Sequence, residues 1–200
     1  MLGFGFGKKD VPEKIRKVGL TKWHDALSDN DKVKLKRYLD NADGSSVTGF
    51  ILSVMTQAIE DHNYKFVASV YESVKEFDLS DNDRFDILDA AIIGVFNAED
   101  YEHCLELCNQ GLAMLKDKNI LGHVMARGHG EIPGDIHCRN YKINVLVGIL
   151  YDFDQADRTL LDYVEMGLLS EEDLEYRRNG IKTFRLQRTF DNIFNIKKAE

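Results

Sequence analysis

The 200-residue sequence holds only two prolines, Pro12 and Pro133, and a chain so poor in the residue that breaks helices is free to run in long ones. Cysteine is scarce as well. Three of them, Cys104, Cys108 and Cys138, cannot complete a paired disulfide framework, which suits a reducing compartment and a cytoplasmic protein. No apolar run approaches the ~20 residues that span a bilayer, so no membrane span is expected. Met1 to Asp10 is too short and too rich in glycine for a secretory apolar core, and no targeting signal is expected there. An excess of positive charge is also missing. Against 34 Asp and Glu stand 26 Lys and Arg, a formal charge of −8, which excludes a surface that grips nucleic acid by bulk electrostatics. The 44% hydrophobic and 30% charged residues suffice for a buried core, in one large domain or two small ones.

The opening Leu2-Gly3-Phe4-Gly5-Phe6-Gly7 alternates glycine with large apolar residues and is followed by Lys8 and Lys9. A phosphate loop would need glycine where Leu2 stands and a hydroxyl where Lys9 stands, so that reading fails. Residues 1–9 are expected to form a flexible apolar arm. Residues 10–41 read as N-terminal helices. Val11, Ile15 and Val18 share one face, Leu20, Trp23 and Leu27 another, and Ser28-Asp29-Asn30-Asp31 has the form of a helix cap. Asn41-Ala42-Asp43-Gly44 reads as a turn.

The middle of the chain carries the strongest periodicity. Val47, Phe50, Ile51, Val54, Met55, Ala58 and Ile59 fall on one stripe of a single helix. Val67, Val70, Tyr71, Val74 and Phe77 make a second helix. Ser80 opens a third, bearing Phe85, Leu88, Ile92, Val95 and Phe96 on one side and Ile87, Ala91 and Gly94 on the other. A helix apolar on two sides belongs inside a stack. Tyr101, Cys104, Leu105, Cys108, Leu112 and Leu115 make the fourth. Residues 117–139, punctuated by Gly122, Gly128, Gly130, Pro133 and Gly134, read as a loop with at most one helical turn between Ile120 and Met125. Helical spacing resumes through Tyr141, Val145, Leu146, Ile149, Leu150 and Phe153 and continues to Gly167, and Ser170 caps a last helix. The fold class expected is all-α.

Three segments share apolar or small residues at positions 0, +3, +7 and +10: Tyr64, Val67, Tyr71 and Val74; Tyr101, Cys104, Cys108 and Gly111; Ala156, Thr159, Tyr163 and Met166. The step from Tyr64 to Tyr101 is 37 residues. In this the chain resembles the tetratricopeptide-repeat family, in divergent form, since position +3 is not a constant alanine and no repeat closes with proline. The resemblance implies stacked antiparallel helix pairs, 47–61 with 64–77 and 82–98 with 100–116, in an α–α superhelix over 47–168 interrupted by the loop 117–139. Residues 169–200 would then cap the array, burying Ile181, Phe184, Phe190, Ile193 and Phe194.

Cys104 and Cys108 lie one helical turn apart, with His123, His129, His137 and Cys138 downstream. Such groups can hold zinc, but the spacing lacks the paired ligands of structural sites, and core packing of the two thiols is the stronger reading. No catalytic motif is legible, and no cofactor or metal is expected. His24 with Asp25, and His103 with Glu102, read as solvated pairs. The residues singled out for partner binding are Arg178, Lys182, Arg185 and Arg188, a basic stripe that either answers the acidic residues at 152–175 or docks an acidic partner. The function expected is a protein–protein interaction or scaffold module that takes a peptide or partner helix in a helical groove. Two alternatives stay open: a nucleic-acid-associated regulator using the basic terminal helices, and an enzyme or metal protein built on the histidine-bearing segment 117–139.

Overall fold

The computed structural model describes residues 11–196, and every regular element among them is helical. The all-α class expected from the sequence is what the chain adopts. The apolar arm expected at 1–9 lies outside the described residues. The chain divides into two compact units, Met1–Ala98 and Glu99–Glu200.

The first unit contains α1 (Glu13–Lys17), α2 (Thr21–Ala26), α3 (Asp29–Leu35), α4 (Val47–Glu60), α5 (Tyr64–Val74) and α6 (Asp81–Asn97). Helices α3, α4 and α6 start where serines stand. The hydroxyls of Ser28, Ser46 and Ser80 accept from the backbone N–H groups of Asp31, Gly49 and Asp83, satisfying donors that a helix start leaves orphaned. Ser28 and Ser80 also donate to the Asp31 and Asp83 carboxylates at 2.7 and 2.6 Å, which fixes each cap from both ends. The stripe on α4 is buried through Phe50, Ile51, Val54, Met55 and Ala58. Helix α4 packs on both α5 and α6, and α5 packs on α6. As its two-sided pattern requires, α6 buries Phe85, Leu88, Ile92 and Val95 and also Ile87, Ala91 and Gly94. At Gly94 the α5–α6 approach is so close that a Cβ would stand 2.6 Å from the Val67 side chain.

The short helices α1–α3 are tied on by specific contacts. The Trp23 ring meets Phe50 edge-on at 6.2 Å, and its indole N–H donates to Ser73 Oγ at 2.8 Å. Tyr38 stacks on Phe66 at 5.8 Å. Lys14 Nζ donates to the carbonyls of Leu39, Asp40 and Ala42, closing the turn that follows α3.

The second unit contains α7 (Tyr101–Met114), α8 (Lys118–Arg127), α9 (His137–Asn144), a π-helical turn at Val145–Ile149, α10 (Phe153–Glu165) and α11 (Glu171–Ile196). Here the structure corrects three expectations. Residues 117–139 are not a loop: they hold the ten-residue α8 and the first turn of α9. Asp117 caps α8 by accepting from Asn119 N–H at 2.7 Å, and Ile120 and Val124, one turn apart, supply its buried face. Gly122 is exposed on the outer side of α8, where it costs about 1 kcal/mol against alanine but breaks nothing. The helix does end at the next glycines, where His129 and Gly130 take successive left-handed conformations, φ +57° and +96°.

The second concerns the helical spacing expected to run from Tyr141 to Gly167, which a break at 150–152 interrupts. The backbone widens to a π turn after Asn144, Tyr151 turns left-handed at φ +55°, and Asp152 opens α10 by accepting from Gln155 N–H at 2.9 Å. The third concerns the cap. Ser170 does start α11, its hydroxyl accepting from Asp173 N–H, but Phe184, Phe190 and Ile193 are exposed rather than buried. A single helix edge-on to α10 can bury one face only, and these three residues do not share one. The expected pair 82–98 and 100–116 is divided between the two units.

Candidate functional site

The basic stripe of α11 faces α10. Arg178 donates from Nε and Nη2 to both carboxylate oxygens of Asp157, at 2.6 and 2.7 Å, a bidentate pair that holds the Asp157 carboxyl below the usual carboxylate range. Arg185 donates to Asp154 Oδ1 at 3.1 Å and lies 5.7 Å from the Phe153 ring centre. The Arg188 guanidinium sits over the Tyr151 ring at 4.2 Å. Lys182 is exposed on the wall of the same groove, a cleft of about 420 Å³ that also includes Phe153, Glu175 and Ile181. The four residues marked for an acidic partner are therefore brought together, and three of them already have carboxylate or aromatic neighbours within the chain.

The opposite side of α11 is the more unusual surface. Tyr176 is 81% exposed, Leu186 60%, Phe190 57% and Ile193 46%. Lone exposed apolar residues are ordinary, but four large ones on one helix form a patch of the kind that marks an interaction site. Elsewhere in the unit, Leu150, Tyr151 and Leu161 are exposed as well. The sequence reading assigned Phe190 and Ile193 to the core and overlooked Tyr176 and Leu186. The alternating steps of four and three residues from Leu186 through Phe190 to Ile193 are the signal that could have found them.

What holds this surface in place is Arg139, another residue the sequence reading missed. It is buried on α9 and donates to the carbonyls of Leu168 (2.7 Å), Gly134 (2.9 Å) and Pro133 (3.1 Å). Burial, then the charge of Arg177, lower its pKa. The buried Tyr163 hydroxyl donates to the Arg139 carbonyl at 3.0 Å, and burial raises its pKa. Arg139 thereby pins the chain just beyond α10, immediately ahead of Ser170 and α11. Carbonyl dipoles, converging on one guanidinium, stand in for the carboxylate that a buried cation ordinarily requires.

The three cysteines resolve into packing. Cys104, Cys108 and Cys138 are all buried. A hydrogen bond with Cys108 lowers the pKa of Cys104, against the opposing effect of burial. His123 lies on α8, His129 in the turn after it and His137 at the start of α9, with its ring 6.0 Å from Tyr141. Among the described residues no group of three or more His, Cys, Asp or Glu side chains could hold a metal ion. His24 is not a solvated partner of Asp25 but a buried side chain, and Nδ1 stands 3.8 Å from the Asp25 carboxylate, too far for a hydrogen bond. His103 stands 3.8 Å from Asp100. A second groove, of about 630 Å³, is lined by Asn109, Lys116, Lys142, Thr159, Asp162 and Glu165, in which two cations and two anions balance. Among the described residues no helix is long and apolar enough to cross a membrane. No family model, curated protein or solved structure matches this chain.

Proposed function

We propose that the protein is a protein–protein interaction module whose docking element is α11. The observation that carries this reading is the asymmetry of that helix. Its inward face is engaged by Asp154, Asp157, Phe153 and Tyr151, while its outward face offers Tyr176, Leu186, Phe190 and Ile193 to the surroundings. A rigid helix carrying an apolar stripe takes another helix in the manner of helix-in-groove recognition. Burial of each such side chain is worth about 1.5–3 kcal/mol, so three or four of them suffice to hold a partner.

The tetratricopeptide-like arrangement belongs to the same proposal, with the helical stack as the scaffold that presents α11. The basic stripe then has a positioning role: it fastens α11 to α10 and is not itself the contact. Affinity capture with the wild-type chain and with a Leu186→Glu/Phe190→Glu variant tests the reading. A protein retained by the first and released by the second supports it. An identical set retained by both overturns it.

A further inference from the structure

Three turns of the chain share one backbone form. His62, Glu99 and Tyr151 take left-handed φ values of +56°, +65° and +55°. Each is followed by Asn63, Asp100 or Asp152 and then by an aromatic residue, Tyr64, Tyr101 or Phe153, that opens the next helix. The Asn63 N–H donates to the Ala58 carbonyl, and the Asp152 N–H to the Leu146 carbonyl, at 2.8 Å in each case. Leu146 is therefore the counterpart of Ala58, set one residue further back because the π turn inserts one. The third aromatic in this register is Phe153, not the Ala156 that spacing alone aligns with Tyr64 and Tyr101.

Counted from these turns, the same positions can be compared in three segments. Val54 stands ten residues before Tyr64 and Ala91 ten before Tyr101, and both are buried. With the inserted residue, the third counterpart is Lys142. Six residues after the aromatic stand Val70 and Leu107, again buried and apolar, and in the third segment Thr159. Thr159 is 1% exposed, and its hydroxyl has no hydrogen-bond partner among the described residues. Lys142 is half-buried, and its ammonium group makes no ion pair or hydrogen bond with a described residue. Two positions given to apolar packing elsewhere are thus polar and unpaired here, and both line the one groove of about 630 Å³. A buried hydroxyl without a partner weakens a fold, and lysine forfeits the apolar burial of valine or alanine, so packing explains neither.

We propose that this groove binds a small zwitterion. Lys142 and Thr159, with Lys116 and Asn109 of α7, supply hydrogen-bond donors for its anionic group. Asp162 and Glu165 of α10 supply acceptors for its cationic group. A ligand of one sign fits less well, because an anion meets the two carboxylates and a polyamine the two ammonium groups. The volume lies within the range of small-ligand sites, about 300–1,000 Å³. No residue of α11 lines the groove, so the site stands independently of the interaction reading.

Calorimetric titration of the full chain with the dipeptide lysyl-glutamate tests the site, since that probe carries two charges of each sign. Citrate serves as the purely anionic probe and spermidine as the purely cationic one. The expected result is saturable binding of the dipeptide, with citrate and spermidine at least about tenfold weaker. Thr159→Val and, separately, Lys142→Ala install the residues that the first segment has at Val70 and the second at Ala91. Each variant should weaken dipeptide binding at least about tenfold while the melting temperature holds or rises. An acetylated, amidated dipeptide separates the two sources of such a ligand: a free molecule needs its charged ends, whereas a segment of a longer chain binds without them. No dipeptide binding at about 10 mM, or citrate or spermidine binding as tightly, overturns the proposal. So does dipeptide binding unchanged in both variants, or a lower melting temperature in both, which would assign the two residues to the fold alone.

Discussion

Arg178 grips Asp157 through two parallel hydrogen bonds of 2.6 and 2.7 Å, and this pair fixes how α11 lies on α10. Because the guanidinium holds the Asp157 pKa below its unfolded value, the pair contributes stability above the ordinary carboxylate pKa and loses it as pH falls through the lowered one. Thermal melts from pH 7 down to pH 2 should show an acid limb that Asp157→Asn flattens. Arg178→Gln should flatten the same limb, and the double variant should behave no worse than either single one.

His24 gives a pH dependence in a different window. Burial, and then the charge of Lys32, depress its pKa below 6.5, so the folded chain prefers the neutral ring. As pH falls through about 6.5 the unfolded chain takes up a proton that the folded chain resists, and stability falls. Denaturant titrations at pH 7.5 and pH 5.5 should show this loss in the wild type. His24→Gln should reduce the difference between the two titrations.

Arg139 should be the least replaceable polar residue of the second unit. Arg139→Leu strands the carbonyls of Leu168 and Pro133, each costing about 1–3 kcal/mol when left without a donor, while the Gly134 carbonyl keeps the Asn140 amide at 2.7 Å. A loss of at least ~2 kcal/mol by chemical denaturation is expected. The same variant should loosen Leu168–Ser170, seen as faster amide exchange at the start of α11.

Gly94→Ala tests the close approach of α5 and α6. Alanine improves helix propensity by about 1 kcal/mol, but its methyl would stand 2.6 Å from Val67. Overpacking of this kind costs about 1–3 kcal/mol, so the expected net change is a destabilisation of up to ~2 kcal/mol. Val67→Ala should restore part of it in the double variant, which a denaturation midpoint can read.

Legibility in the sequence followed the strength of the local signal. The caps at Ser28, Ser80 and Ser170 and the stripes on α4, α5 and α6 were readable because each combines a hydroxyl in register with an apolar period of 3.6. Helix α8 was obscured because Gly122 sits on its exposed side, where a single glycine weakens a helix without ending it. The break at 150–152 was hidden for the opposite reason: apolar spacing runs straight through a π turn that only tertiary packing reveals. The basic stripe was visible, but spacing alone could not tell that Asp157, Asp154 and Tyr151 answer it. Arg139 gave no signal at all, since a lone arginine early in a helix looks like any solvated one. The phenylalanines of α11 were placed in the core because aromatic residues usually belong there, and their step to Ile193 shows which side of the helix they occupy only once the inward face is known.

Quantitative affinity capture bears most directly on the role assigned to α11, because Leu186 and Phe190 are exposed and can be changed without opening the core. The wild-type chain is compared with the Leu186→Glu/Phe190→Glu variant after equal melting temperatures of the two have been established. The account predicts a protein retained by the wild type and lost from the variant. An identical set retained by both chains would contradict it.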